Sequence, residues 1–169
     1  MKLIFRKARL EDVEGIANLM KEGLERKTWI YTATNKYKKD RIEKLKKELS
    51  DKKSTSLFFV VYDKDTQKIV ANSGCSFSNK GRMKHILGLG WNVHPDYEGN
   101  GIGTKLVSYV LEQAKKKGFK RVEAEIAVEN IASKKLALKC GFEIEGTKKK
   151  ALLTDDGRLI DVHMVGKIL

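Results

Sequence analysis

Val93-His94-Pro95-Asp96-Tyr97-Glu98-Gly99-Asn100-Gly101-Ile102-Gly103-Thr104 is the stretch that decides how this chain is read. Glycine stands at the alternate positions 99, 101 and 103, between an apolar run ending at Val93 and a helical pattern opening at Gly103. Glycines at such a junction let the backbone approach a ligand and gather several N–H groups into one concavity. The helix start adds its own unpaired N–H groups and the positive end of its dipole, a ready site for phosphate. A Walker loop needs Gly-Lys-Ser/Thr at the helix start, and Gly103-Thr104-Lys105 has another order. A dinucleotide fingerprint needs a third glycine three residues beyond the second, yet position 104 is Thr, and the loop lies past mid-chain instead of after the first strand. Both nucleotide readings fail on spacing. A glycine-rich turn that binds nothing is the plain alternative.

Outward from the loop, the pattern alternates. Gly103 to Lys117 reads as a helix with Leu106, Val107, Val110, Leu111 and Ala114 on its apolar side and Gly118 as its stop. Arg121 to Ala127 alternates Val122, Ala124 and Ile126 with Glu123 and Glu125, as a half-exposed strand does. Asn130 to Cys140 predicts a short helix capped by Asn130. Phe142 to Lys149 and Leu159 to Leu169 predict strands joined at Asp155-Asp156-Gly157. On the other side, Lys84 to Val93 predicts a strand, preceded by strands at Leu57 to Tyr62 and Lys68 to Ser78. Leu3 to Ala8 predicts the first strand and Leu10 to Glu25 the first helix, and a second helix buries Ile42, Leu45 and Leu49. The order is β-α-α-β-β-β-α-β-α-β-β. It implies an α/β (α+β) fold, a mixed and mostly antiparallel sheet flanked by about four helices, with a β-α-β crossover late.

A length of 169 residues suits one domain, 1–169, and 41% hydrophobic residues supply a core. No apolar run approaches the 18 or so residues of a membrane span, and Met1-Lys2-Leu3-Ile4-Phe5-Arg6 turns charged too early for a signal peptide. The formal charge is +13, but only 7 of the 35 basic residues are Arg. Sequence-reading nucleic-acid proteins lean on Arg, so the lysines read as solvated surface with some attraction for an anion, and nucleic acid is disfavoured as a partner. Cys75 and Cys140 form no Cys-x-x-Cys, and the three histidines form no zinc pattern, so no metal site is expected. A reduced, cytoplasmic chain is the expectation.

With the loop in this context, the chain resembles the GNAT superfamily of N-acetyltransferases. Glu98-Gly99-Asn100-Gly101-Ile102-Gly103 is similar to its Arg/Gln-x-x-Gly-x-Gly/Ala signature. Glu129-Asn130-Ile131-Ala132-Ser133-Lys134-Lys135-Leu136-Ala137-Leu138-Lys139-Cys140-Gly141-Phe142 resembles its Asn-…-Leu-Tyr-x-Lys-x-Gly-Phe helix, and Arg6 to Asp12 its first strand-to-helix passage. The resemblance implies acetyl-CoA as co-substrate. Backbone N–H groups of Glu98, Gly99, Asn100, Gly101, Ile102, Gly103 and Thr104 would hold its pyrophosphate. The strand edge at Trp91 to Val93 would pair with its pantetheine arm, and Asn130, if more than a helix cap, would touch that arm. Lys139, with Lys105 and Lys134, would lie near the phosphates.

Three departures stand out. Glu98 replaces the usual Arg or Gln. Ala137 stands where many members carry a general-acid tyrosine, leaving Ser133, Tyr109, Tyr97 or water as substitutes. No Asp or Glu lies between Arg82 and Val93, where many members place a base, which leaves His85 as the candidate base. His94 is expected at the surface, and Asp161 and His163 share a strand face near the acceptor end. At pH 7 a lysine side chain is unprotonated in about 1 molecule in 2,500 and an α-amine in about 1 in 6, so a base-poor site favours the latter. The resemblance therefore points to direct acetyl transfer onto a primary amine, a protein α-amine or a small amine, without a covalent intermediate. An acyl-CoA-binding module without turnover is the alternative. Acceptor choice falls to Glu22 to Lys39, with Trp29, Tyr31 and Tyr37, and to the hairpin Lys148 to Arg158. A homodimer is left open.

Overall fold

The computed structural model describes residues 1–26, 40–154 and 156–169. Trp29, Tyr31 and Tyr37 lie outside the described residues. Seven strands form one sheet: β1 (Leu3–Lys7), β2 (Ser56–Asp63), β3 (Lys68–Phe77), β4 (Ile86–Val93), β5 (Arg121–Ala127), β6 (Glu143–Leu153) and β7 (Leu159–Ile168), in the spatial order β1-β2-β3-β4-β5-β7-β6. Every neighbouring pair is antiparallel except β4 and β5, which are joined through a helix and run parallel. The α1 (Val13–Glu25) and α2 (Asp40–Ser50) helices cover one face, and α3 (Ile102–Lys116) and α4 (Ile131–Lys139) the other. The expected element order is the observed one.

Alternation along the strands divides the core. On the α3 side Val61, Leu87, Val122, Leu106, Val107 and Val110 are almost fully buried together, and on the α1 side Val13, Ile16, Leu19 and Val60 are. Each such side chain contributes about 1.5–3 kcal/mol on leaving water. The start of α1 is tied to β1 by charge. Asp12, 5% exposed, accepts both arms of the Arg6 guanidinium (2.5 and 2.7 Å) and the Arg9 N–H (2.7 Å). Burial pushes the Asp12 carboxyl up, but those hydrogen bonds outweigh it and hold the group below its ordinary range.

Two details differ from expectation. β6 runs on to Leu153 instead of stopping at Lys149, because a bulge between Lys148 and Leu152 absorbs the extra residues, with Lys150 at φ +49°. The bulge is fastened by Asp161, which accepts from Lys149 Nζ and Lys150 N–H, both 2.9 Å. His94 is not at the surface. It is 7% exposed, and its Nε2 donates to Glu22 Oε2 of α1 (2.7 Å) while its Nδ1 accepts the Asp96 N–H (3.2 Å). Asp96 is in turn ion-paired with Arg26, so the turn after β4 is latched to the end of α1.

Candidate active site

β4 and β5 are hydrogen-bonded over only three pairs, Ile86 with Arg121, Leu87 with Val122 and Gly88 with Glu123, and then part. The His94 N–H bonds the Val70 carbonyl at 2.8 Å. In an antiparallel ladder the next residues alternate, so the N–H and C=O groups of Leu89, Trp91 and Val93 point away from β3 and into the gap. An extended, amide-bearing ligand meets there the same groups that another strand would.

The glycine loop closes one end of this gap. Gly99 (φ +76°) and Gly101 (φ +72°) adopt the left-handed conformation, which L side chains resist. Gly103 is needed for a different reason: a Cβ there would stand 2.6 Å from Leu136 Cδ1 of α4 and 3.3 Å from Val93 Cγ2. The Lys105 N–H makes the first α3 bond, to Gly101 O (3.1 Å); among the described residues the backbone N–H groups of 99–104 meet no acceptor. The loop is braced by its own side chains. Asn100 donates to the carbonyls of Tyr97 and Glu98, and the Tyr97 hydroxyl donates to Asp63 Oδ2 (3.2 Å). Burial raises the Asp63 carboxyl, but hydrogen bonds from the Asp65 N–H, the Thr66 hydroxyl and Tyr97 prevail and lower it.

Where the strands part, a cavity of about 770 Å³ opens toward α1 and α2. Gly74, Gly88 and Gly90 line it without side chains, beside Asn72 and Asn92, while Glu123 and Glu125 of β5 enter from across the gap. Glu125 is paired with Lys148, and Arg121 with Glu145 and, at 3.5 Å, with Glu123. The hydrogen bond to Glu145 is the main reason the Arg121 guanidinium is held above its ordinary range. Cys75 also lines the cavity, and burial pushes its thiol up to about 12.

The residues singled out in the sequence fall into two groups. Trp91, Val93 and Glu98 to Thr104 come together around the gap and loop. Asn130 caps α4, its Oδ1 accepting the Ser133 N–H at 3.0 Å, which leaves its amide nitrogen as the remaining donor. Lys139 ends α4 just before Cys140, whose Sγ lies 3.8 Å from the Thr104 carbonyl oxygen. Lys105 lies exposed in the first turn of α3. The catalytic candidates are not assembled. His85 precedes β4 at the end opposite the loop, exposed, with Nδ1 3.0 Å from the Arg82 carbonyl oxygen. Ser133 is half-buried in α4 and Ala137 is fully buried in the core, and neither lines the cavity. The Tyr97 hydroxyl is committed to Asp63, and Tyr109 packs against Phe5 and Phe59. Asp161 holds the β6 bulge, and His163 Nδ1 sits 3.0 Å from Thr147 Oγ1, away from the cavity. Polar residues that do line it include Asn72, Asn92, Arg121, Glu123, Glu125, Glu145 and Lys148. Of these the sequence marks only Lys148, at the start of the acceptor hairpin, and Asn92, within the Trp91 to Val93 edge, while the others are given no role there. The signal for the glutamates was their alternation with Val122, Ala124 and Ile126 directly after the loop helix.

A family model for the acetyltransferase (GNAT) domain matches residues 2–143. The chain belongs to the GNAT acetyltransferase family. Within that family it is 43% identical, over 51 residues, to an uncharacterised N-acetyltransferase of Methanocaldococcus jannaschii, a match covering 30% of this chain and 23% of that protein. It is 26% identical over 101 residues to an L-amino acid N-acetyltransferase of Escherichia coli, covering 59% of this chain and 62% of that one. The chain thus matches less than two thirds of the length of either relative. Its fold superposes on ribosomal-protein-S5-alanine acetyltransferase from Vibrio fischeri with TM-score 0.84 and 25% identity, over 99% of this chain and 93% of the other. It also superposes on a phosphinothricin acetyltransferase from Sinorhizobium meliloti, solved in complex with acetyl-CoA, with TM-score 0.84 and 21% identity, over 100% and 89% of the two chains.

Proposed function

We propose that this GNAT chain is an enzyme that moves the acetyl group of acetyl-CoA directly onto a primary amine, a protein α-amine or a small amine. The observation that carries the reading is the parting of β4 from β5 beneath the glycine loop. The residues fit the co-substrate: the unpaired edge of Leu89, Trp91 and Val93 suits an amide-bearing arm, and the N–H row of 99–104 suits a diphosphate. A family neighbour of the same fold was solved with acetyl-CoA.

Acetyl-CoA supplies an activated acyl thioester with a good leaving group. The backbone N–H of Val93 or its neighbours on the free edge stabilises negative charge developing on the acyl oxygen. Glu123, at the last paired position before the strands part, receives the amine's proton through water. With Ala137 buried and no tyrosine lining the gap among the described residues, the sulfur departs as its anion, which a thiol of ordinary pKa near 8.5 tolerates. Direct transfer agrees with the state of Cys75. With its pKa pushed up to about 12 by burial, roughly 1 molecule in 10⁵ is thiolate at pH 7, a poor nucleophile for an acyl-enzyme. Among the described residues no helix is long and apolar enough to cross a membrane, and both cysteines are free; we place the protein in the cytoplasm.

The test is steady-state release of CoA thiol with a panel of amines, including free amino acids, amidated amino acids and peptides with free N-termini. Turnover with at least one amine, together with unmodified Cys75 in mass spectra after acetyl-CoA alone, is expected. Acetyl-CoA binding without thiol release from any amine would leave the binding-module alternative instead, and an acetylated Cys75 would end the direct-transfer reading.

A further inference from the structure

Asn72 stands on β3 in the wall of the cavity, 9% exposed, and its Oδ1 is buried with no hydrogen-bond partner among the described residues. Leaving a buried carbonyl unpaired is unfavourable, and most such groups in folded proteins find a donor. A candidate donor is Asn92, its Cα partner across the β3–β4 ladder. Asn92 instead directs its amide nitrogen to Met20 Sδ of α1, 3.4 Å away. The next pair on the same face, Gly74 and Gly90, has no side chains, so the space beside Asn72 stays open.

The charges around the cavity add a direction. Glu48, Glu123, Glu125 and Glu145 face Arg41, Arg121 and Lys148. Arg121 is held by Glu145 and Glu123, Lys148 is held by Glu125, and Arg41 has interactions of its own. Among the described residues one more carboxylate than cation lines the space. A positively charged N–H donor is matched there, whereas an entering carboxylate meets cations already engaged.

We infer that Asn72 positions the acceptor, its Oδ1 taking a hydrogen bond from an N–H of the incoming amine or of the amide beside it. The inference rests on the amine-acetylation reading and adds the acceptor class: an amine with no neighbouring free carboxylate, such as an amidated amino acid or a peptide N-terminus, over a free amino acid.

L-alaninamide and L-alanine, which differ in that carboxylate, are the probes. With CoA bound, titrating L-alaninamide into isotopically labelled protein is expected to shift the Asn72 side-chain ¹³Cγ and ¹⁵Nδ2 resonances, with L-alanine binding at least about five-fold more weakly. Shifts elsewhere in the cavity that leave Asn72 unmoved, equal binding of the two probes, or no binding of either would overturn the proposal. Asn72→Leu supplies the second arm. It is expected to melt at the same temperature as the parent or higher, and to raise KM for L-alaninamide about ten-fold while KM for acetyl-CoA stays within about two-fold. A lower melting temperature, or equal rises in both KM values, would mean a structural role. Binding of L-alaninamide at Asn72 without thiol release would sink amine acetylation and spare this inference; undiminished turnover in Asn72→Leu would do the reverse.

Discussion

Around the glycine loop, the polar groups left without a partner among the described residues belong to the backbone: the N–H row of 99–104 and the strand edge at Leu89, Trp91 and Val93. On the face of the sheet toward α1 and α2, the groups lining the cavity belong to side chains: Asn72, Asn92, Glu123, Glu125 and their cationic partners. On the proposed reading the first half would serve a polyanionic, amide-bearing ligand, for which backbone N–H groups suffice whatever side chains stand around them. The second half would distinguish one amine from another, which only particular side chains at particular strand positions do. A constant co-substrate and a variable acceptor would thereby be divided between two chemistries on one sheet.

Breaking the frame of the acceptor half should have the largest effect. Asp12→Ala leaves the Arg6 guanidinium, only 21% exposed, without its partner and frees α1 from β1. A loss of about 3 kcal/mol in urea unfolding is expected, at the low end for a broken buried pair because Arg6 keeps some solvent. The acid limb gives an independent check. The Asp12 carboxyl is lowered in the folded state, so its contribution is complete above the unfolded pKa near 3.9 and is lost as pH falls through the folded value. Asp12→Asn, lacking that group, should show a flatter decline in stability below pH 4. Within the site, Glu123→Gln is expected to lower kcat by about 100-fold with KM for acetyl-CoA unchanged. An unchanged kcat would move the proton-accepting role to Glu125 or to bulk water.

The same division explains what was legible beforehand. Gly99 and Gly101 are readable because left-handed backbone restricts residue type, Gly103 because close packing does, and the element order follows because each helix and strand keeps its own period. Glu123 and Glu125 were not, because an alternating strand has the same pattern whether its polar face meets bulk water or a cavity. What turns that face into a site is the parting of β4 from β5 after Gly88, a tertiary event with no local signature. His94 is buried where the sequence predicts surface for a related reason: its partner Glu22 is 72 residues away, and a histidine before a proline in a turn gives no hint of it. His85 suited the segment's need for a base, yet strand direction puts it at the end away from the loop.

The loop glycines sharpen the backbone half by separating two causes. Gly103→Ala places a methyl 2.6 Å from Leu136 Cδ1, so the Leu136 side chain or α3 itself must give way, and a stability loss of about 1–3 kcal/mol is expected in thermal melts. Gly101→Ala has open space but a φ of +72°, so its cost is conformational, about 1–2 kcal/mol. Both should weaken acetyl-CoA binding in calorimetric titration. If Gly101→Ala bound as tightly as the parent, the left-handed turn would not be what shapes the N–H row.

The smallest expected effect lies at Glu98, the one carboxylate among Glu98 to Thr104, the segment proposed to hold the diphosphate. It is exposed, and the backbone carries the site, so Glu98 acts only as a screened like charge beside the diphosphate. Glu98→Gln should therefore tighten acetyl-CoA binding by about two- to five-fold at low salt, with the gain shrinking as salt rises. A fall in affinity on that substitution would mean the carboxylate itself holds something, a neighbouring lysine or the loop's own shape. The anion site would then depend on a side chain, and the contrast between the two halves would no longer hold at its clearest point.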